Sequence, residues 1–284
     1  MALKIEKAGK IGFCFGVRRA INIVEEVARK RDGVETLGAI VHNRPVLQKL
    51  AELGVKIAKS LDDIQDDVVV TSAHGVSPQV KEEIQERNIG IINTTCPFVR
   101  RAQVVARRLA ELGFFVIIYG DANHPEIKAV LGSANNRGVA ALDEAFLVGF
   151  DRLPRHLGVL SQTTQIPAHF NQFVKNLIDS ALTKDSELRI IDTICHDIRE
   201  RQATALELAN KVDLMLVVGG HSSANSHHLA ELCSTATATY LVETADEIQP
   251  SWLEGQHHIG ITAGASTADQ TVDEVVAKLE ALTR

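Results

Sequence analysis

The chain lacks what would tie it to a membrane, a nucleic acid or an oxidising exterior. No apolar run approaches the roughly 18 residues needed to cross a bilayer. The longest stretches, Phe114–Tyr119 and Leu214–Val218, are of strand length. The amino terminus, Met-Ala-Leu-Lys-Ile-Glu-Lys, has no continuous apolar region to serve as a signal peptide, so export is not expected. Lys and Arg (30) are outnumbered by Asp and Glu (36), and a net charge of −6 offers no bulk attraction to phosphate backbones; no nucleic-acid partner is expected. Four cysteines in 284 residues are too few for a disulfide scaffold. These absences point to a reducing cytoplasm and no membrane. What is present, 45% hydrophobic and 23% charged residues, is ordinary for a globular protein. The length suffices for one large domain or several small ones.

An internal repeat organises the chain. Three segments read strand, cysteine, helix: Lys10-Ile-Gly-Phe-Cys14-Phe-Gly-Val-Arg-Arg-Ala20, Ile91-Ile-Asn-Thr-Thr-Cys96-Pro-Phe-Val-Arg-Arg-Ala102 and Ile190-Ile-Asp-Thr-Ile-Cys195-His-Asp-Ile-Arg-Glu-Arg201. Each cysteine is followed three residues later by Val or Ile and then by Arg. The segment after Cys14 places Val17, Ala20, Ile21, Val24, Val27 and Ala28 at helical spacing. Further tiers repeat as well. Short strands ending in polar loops are expected at Gly38-Ala-Ile-Val-His42, Val116 to Glu126 and Leu216 to Asn225. A third tier stands at Ser60–Ile64, Ala141–Ala145 and Thr244–Ile248, each just after a short strand, and a fourth has strands leading to His74, to Thr163-Thr164 and to Ser266.

Strands alternating with helices predict parallel βαβ units. The expected fold is α/β: three pseudo-threefold-related modules, 14–96, 97–194 and 195–284, with small, mainly parallel sheets around a central cavity. The third module runs out of chain after the helix 268–282, so its missing strand is expected from residues 3–13, and the segment 1–13 completes it. Ligands of parallel α/β sheets bind beyond the carboxyl ends of strands, where all these polar loops lie.

A cysteine at a helix start meets the positive end of the helix dipole, which favours the thiolate that a metal needs. A single cysteine is more often a small buried hydrophobe. Three at one point of three repeats suit a cubane iron–sulfur cluster with one iron left open. Cys233 has no counterpart in the repeat and reads as core. His42, His74 and His124, each ordinary as a loop histidine, together with Thr163, Thr164, Ser223, Asn225 and Ser266 make an anion cradle of neutral donors. Glu126, in His-Pro-Glu, is either a compensator of a helix dipole or a proton donor. Arg100, Arg101, Arg107 and Arg108 are most simply a solvated helix face, with a docking surface for an acidic redox partner as the second reading.

The motifs Gly12-Phe-Cys14, Val41-His42-Asn-Arg44, Ser72-Ala-His74-Gly, Thr95-Cys96-Pro, Asn123-His124-Pro-Glu126, Gln162-Thr163-Thr164, Asp192-Thr-Ile-Cys195, Ser223-Ala-Asn225-Ser and Thr262-Ala-Gly-Ala-Ser266, in this order over almost the whole chain, resemble the 4-hydroxy-3-methylbut-2-enyl diphosphate reductase (IspH/LytB) family. The resemblance implies a three-domain α/β fold around a [4Fe–4S] cluster on Cys14, Cys96 and Cys195, which becomes [3Fe–4S] if its labile iron is lost. It implies diphosphate contacts from His42, His74, His124, Ser223, Asn225 and Ser266, proton supply by Glu126 with Thr163 in the relay, and Thr164 nearby. The activity implied is reductive removal of an allylic hydroxyl, giving isopentenyl and dimethylallyl diphosphate in the non-mevalonate pathway. Flavodoxin or ferredoxin is the implied electron donor. The chain departs from the family pattern at Ala224, where a second serine is usual, at His196-Asp197-Ile198, and after Glu126, where Gly-Thr is common.

Three rivals carry different expectations. A three-cysteine dehydratase or quinolinate-synthase-like enzyme should offer arginines to a carboxylate substrate, and only Arg44 is in reach of these loops. A zinc-binding or redox-sensing module would use three Cys and one His. A structural protein would bury its cysteines without metal.

Overall fold

The computed structural model describes residues 3–150, 153–181 and 185–282. Every strand pairing among them is parallel, as expected for βαβ units. One sheet contains β2 (Val34–Leu37), β3 (Val55–Ala58), β4 (Val68–Thr71) and β5 (Gly90–Asn93) in the order β3-β2-β4-β5. A second contains β6 (Phe115–Tyr119), β7 (Gly138–Ala141), β8 (His156–Ser161) and β9 (Glu187–Ile191) in the order β7-β6-β8-β9. The third combines β1 (Lys4–Lys7) with β10 (Leu214–Val218), β11 (Ala238–Val242) and β12 (His258–Ala263) in the order β1-β12-β10-β11. The three orders are one order. β1 occupies in its sheet the edge that β5 and β9 hold in theirs.

Nine α-helices are present among the described residues: α1 Phe15–Arg31, α2 Arg44–Glu52, α3 Pro78–Glu86, α4 Pro97–Glu111, α5 Pro125–Ser133, α6 Pro167–Ala181, α7 His196–Ala209, α8 Ala224–Ser234 and α9 Asp269–Leu282. Five of the chain's seven prolines stand in the first two positions of α2, α3, α4, α5 and α6. A helix start has no use for the missing N–H, and the fixed φ is already helical. The third tier of the repeat, after β3, β7 and β11, forms short 3₁₀ segments, Leu61–Asp63, Glu144–Gly149 and Ala245–Glu247.

Two expectations shift. The strand read at Gly38-Ala-Ile-Val lies earlier, at β2, because Gly38 has φ 74° and leaves the extended region before the loop begins. The strand read over 3–13 is paired only from Lys4 to Lys7. Beyond it Gly12 (φ 77°) turns the chain, and a Cβ there would lie 2.0 Å from Asp269 Oδ1, so only glycine fits.

The described residues divide into two compact units. The first comprises 3–18, 41–53 and 196–282 and holds the β1-β12-β10-β11 sheet; the second comprises 19–40 and 54–195 and holds the other two. In the first unit, strand alternation sorts the core. Leu214, Leu216 and Val218 pack with Ile259, Ile261 and the α9 residues Val272, Val275 and Leu279. Met215 and Val217 face the other way, onto Ala205, Leu208, Leu229 and Cys233 of α7 and α8. The second unit repeats this about β6, where Val116 and Ile118 meet α4 and α5 while Ile117 and Tyr119 meet α6. Each such aliphatic side chain contributes about 1.5–3 kcal/mol on burial, so these layers fix the level at which the strand-end loops emerge. No helix of the described residues is long and apolar enough to cross a membrane.

Candidate functional site

The repeat acquires a physical form at the cysteines. Cys14 N–H donates to Ala265 C=O at 2.9 Å, Cys96 N–H to Ala73 C=O at 3.0 Å and Cys195 N–H to Thr163 C=O at 3.0 Å. Each acceptor stands two residues past the end of the neighbouring strand, β12, β4 or β8. Each cysteine is followed at once by α1, α4 or α7, and the carbonyls of Cys14 and Cys96 accept the first helical bonds, from Arg18 and Arg100. None of the four cysteines forms a disulfide. Val17 N–H points at Cys14 Sγ, 3.4 Å away. The helix start alone does not lower the pKa of this thiol: burial pushes Cys14 up, and the N–H groups of Val17 and Gly16 oppose it only in part. A bound cation is what would complete the stabilisation of a thiolate here. Cys233, fully buried in the core of the first unit, has its thiol pushed up to about 12 by burial, in keeping with a packing role.

The second unit brings Glu126, Thr163, Thr164, His74, His124, Cys96 and Cys195 to its strand-end loops. Glu126 occupies the second position of α5 and is 2% exposed. Its Oε1 accepts from Thr163 N–H at 2.7 Å and its Oε2 from Thr163 Oγ at 2.8 Å. Burial raises its pKa to about 6 despite both bonds, so the carboxyl holds a proton near neutrality far more readily than an ordinary glutamate. His124 caps the same helix, its Nδ1 accepting from Glu126 N–H at 3.1 Å, and its ring meets that of His74 edge-on at 5.2 Å. Thr163 thus serves both sides: N–H and hydroxyl to Glu126, carbonyl to Cys195.

The first unit holds Cys14, His42, Ser223, Asn225 and Ser266. Ser223 caps α8, with its hydroxyl accepting from Ser226 N–H at 3.4 Å. Asn225 is 5% exposed, and neither its amide nitrogen nor its amide oxygen has a partner among the described residues. A buried amide in that state is costly unless something else binds it. Ser266 Oγ reaches His42 C=O at 3.5 Å, and burial holds the His42 imidazole below its usual pKa, hence neutral. Gly220 lets the α8 loop approach: a Cβ there would come within 2.4 Å of His42 C=O.

Arg201 went unnoticed in the sequence as a site residue. It is fully buried, and its guanidinium donates to Gly12 C=O and Ala263 C=O, each at 2.8 Å, with Asp197 3.7 Å away. It ties the loop before Cys14 to the end of β12. Asp197, part of the departure after Cys195, also accepts Lys10 Nζ at 3.1 Å. A signal existed: six residues after each cysteine stand Ala20, Ala102 and Arg201, so the third segment puts a large cation where the first two share a small residue.

Together these features define a class: a parallel α/β protein whose modules each present a thiol at a helix start, with a buried carboxyl–hydroxyl pair beside one of them. The comparisons make it particular. Residues 5–280 match the LytB protein family, and the chain belongs to that family. It is 57% identical over 280 residues to the 4-hydroxy-3-methylbut-2-enyl diphosphate reductase of Dehalococcoides mccartyi strain CBDB1, covering 99% of both chains. It is 39% identical over 287 residues to the protein of the same name from Geotalea uraniireducens, again with 99% of each covered. Its structure matches that of the E-1-hydroxy-2-methyl-but-2-enyl-4-diphosphate reductase of Plasmodium falciparum with a TM-score of 0.91 and 27% identity, over 98% of this chain and 88% of that one. A second solved reductase, described as the terminal enzyme of the non-mevalonate pathway, matches with a TM-score of 0.70 and 32% identity, over 99% and 100%.

Proposed function

We propose that this chain reduces 4-hydroxy-3-methylbut-2-enyl diphosphate to isopentenyl and dimethylallyl diphosphate, consuming two electrons and two protons and releasing the allylic hydroxyl as water. The observation that carries this reading is the double engagement of Thr163. One residue connects a carboxyl poised near pH 6 to the backbone of Cys195.

The donor set fits an iron–sulfur cluster: three cysteines outside any disulfide, each at a helix start and each with its N–H tied to the neighbouring strand-end loop. Cys14, Cys96 and Cys195 would hold it. A [4Fe–4S] cluster with one iron free of protein ligands supplies single electrons and a Lewis-acidic position for the hydroxyl oxygen, and becomes [3Fe–4S] on losing that iron. The protein's own work is then positioning and proton delivery. Glu126 gives the proton that lets the hydroxyl depart, and the Thr163 hydroxyl, 2.8 Å from Oε2, passes protons along or holds the carboxyl in place. His42, His74, His124, Thr164, Ser223, Asn225 and Ser266 would hold the diphosphate. The unpartnered Asn225 amide and the helix-capping positions of His124 and Ser223 support that assignment.

The common strand order of the three sheets supports three modules, 14–96, 97–194 and 195–284 completed by 1–13. Free cysteines suit a cytoplasmic location, and flavodoxin or ferredoxin suits the need for single electrons.

The test is anaerobic reconstitution with iron and sulfide, followed by assay with reduced methyl viologen. Stoichiometric conversion of the hydroxylated allylic diphosphate is expected. A loaded protein that leaves this substrate untouched would sink the proposal. Zinc without iron in anaerobically purified protein would favour the metal-binding module instead.

A further inference from the structure

The α4 helix carries a conflict that its own stability does not explain. Arg100, Arg101, Arg107 and Arg108 are all exposed, with Val104, 53% exposed, between them. At helical spacing they form one stripe, and Arg100 and Arg107 stand two turns apart on one side of it. Lys81 of α3 faces the same stripe: burial first, then the charges of Arg100 and Arg107, pull its pKa down. None of these five cations has an acidic partner among the described residues, in a chain whose net charge is −6. Several cations on other helices are paired, as Arg29 is with Glu25, Lys30 with Glu26, Arg87 with Glu83 and Lys211 with Glu207. The helix has no acidic residue in its first turn to balance its dipole. Like charges at such spacing and cations near a helix start are each mildly destabilising.

The helix begins at Cys96, and the stripe begins about 6 Å along the axis from it, at roughly 1.5 Å per residue. At its far end the stripe borders a groove with a volume of about 340 Å³, lined by Val105, Leu109, Leu112 and Ile191 together with Arg108 and Arg189. Apolar side chains beside arginine are a composition favoured in protein interfaces.

We propose that the exposed face of α4, from Arg100 to the groove at Leu112, is the docking surface for a small acidic electron-transfer protein. This deepens the proposed function in one respect, the need for reducing equivalents. The reaction R–OH + 2 e⁻ + 2 H⁺ → R–H + H₂O takes two electrons, so a one-electron donor is oxidised twice per turnover and must bind, deliver and leave twice. Charge steering suits such brief encounters, because it speeds association without requiring a long-lived complex.

The experiment compares the wild-type holoenzyme, the Arg100→Glu/Arg107→Glu double variant and a Lys56→Glu control on β3. Each is driven by a reduced plant-type ferredoxin and, separately, by reduced methyl viologen, and binding of oxidised ferredoxin is titrated without substrate. The double variant is expected to raise the KM for ferredoxin and its Kd at least tenfold and to lose their sensitivity to salt. Viologen-driven turnover should stay within twofold of wild type, and the control should behave as wild type. Unchanged ferredoxin KM and Kd in the double variant would overturn the proposal, as would an equal effect of Lys56→Glu or an equal loss with viologen. Retention of wild type, but not of the double variant, by a short DNA duplex at physiological salt, with ferredoxin binding unaltered, would assign the stripe to phosphate and overturn it too. Failure of the reductase reading shows separately, as absence of turnover by the wild type with viologen, while the titration still reads the docking surface.

Discussion

Two helix starts, α5 in the second unit and α8 in the first, are built alike and finished differently. Both follow the first strand of their module, β6 and β10. Both are capped by a side chain, His124 in one and Ser223 in the other, and both bury the residue two places further on, Glu126 at 2% and Asn225 at 5% exposure. The carboxyl is saturated by protein donors, the N–H and hydroxyl of Thr163. The amide has none among the described residues. A group whose hydrogen bonds are already made is held for chemistry, whereas a buried group whose bonds are missing awaits a ligand. On the proposed function, one backbone position serves proton transfer in one module and ligand binding in the other.

Glu126→Gln tests the first half of that contrast and should show the largest effect. The amide keeps the shape but cannot deliver a proton, so kcat is expected to fall by about 10²–10⁴-fold while iron content stays unchanged. A kcat within threefold of wild type would break the comparison. The pH profile comes next. On the proposed function the proton-bearing form of Glu126 is the active one, and burial raises its pKa to about 6. Above that pH the protonated fraction falls, so kcat should drop roughly tenfold for each pH unit wherever proton delivery limits the rate, and Glu126→Gln should flatten this limb.

Asn225→Ala addresses the other half. Because no protein partner is lost, the melting temperature should hold. The KM for the diphosphate substrate should rise about tenfold, equivalent to about 1.4 kcal/mol, with kcat little changed. A loss of stability without a change in KM would mean that the amide is structural. The smallest effect is expected from Ala224→Ser, which adds a hydroxyl at the first position of α8 beside Ser223. The KM should fall by about two- to fivefold, measured in the viologen assay, as one further neutral donor reaches the anion.

Much of this architecture could be read in the chain because local signals agree with the fold. The three cysteine segments, the prolines opening helices and the apolar strands mark where elements begin. Their repetition implied one strand order used three times, which all three sheets have. The pairing of β1 with β12 follows from the same logic: the third module lacks a last strand of its own, and the amino-terminal strand takes that edge. Arg201 is not marked by what the repeats share, because its role comes from where they differ. A buried guanidinium is too costly to keep without partners, and its partners Gly12 C=O and Ala263 C=O lie 189 and 62 positions away along the chain.

The sequence by itself determined the elements, their parallel sense and the residue types of the site, since turn chemistry, helical spacing and the strand–cysteine–helix pattern act over a few residues. Only the tertiary structure decided the states of those residues. Whether Glu126 stays charged, whether Cys14 favours a thiolate and whether Asn225 finds a partner depend on desolvation and on groups brought in from distant segments. The helix dipole, a local effect, argued for an easily ionised Cys14; burial, a non-local one, outweighs it. Thr163 shows the same division: its hydroxyl is plain in the sequence, but folding alone sets it between Glu126 and Cys195.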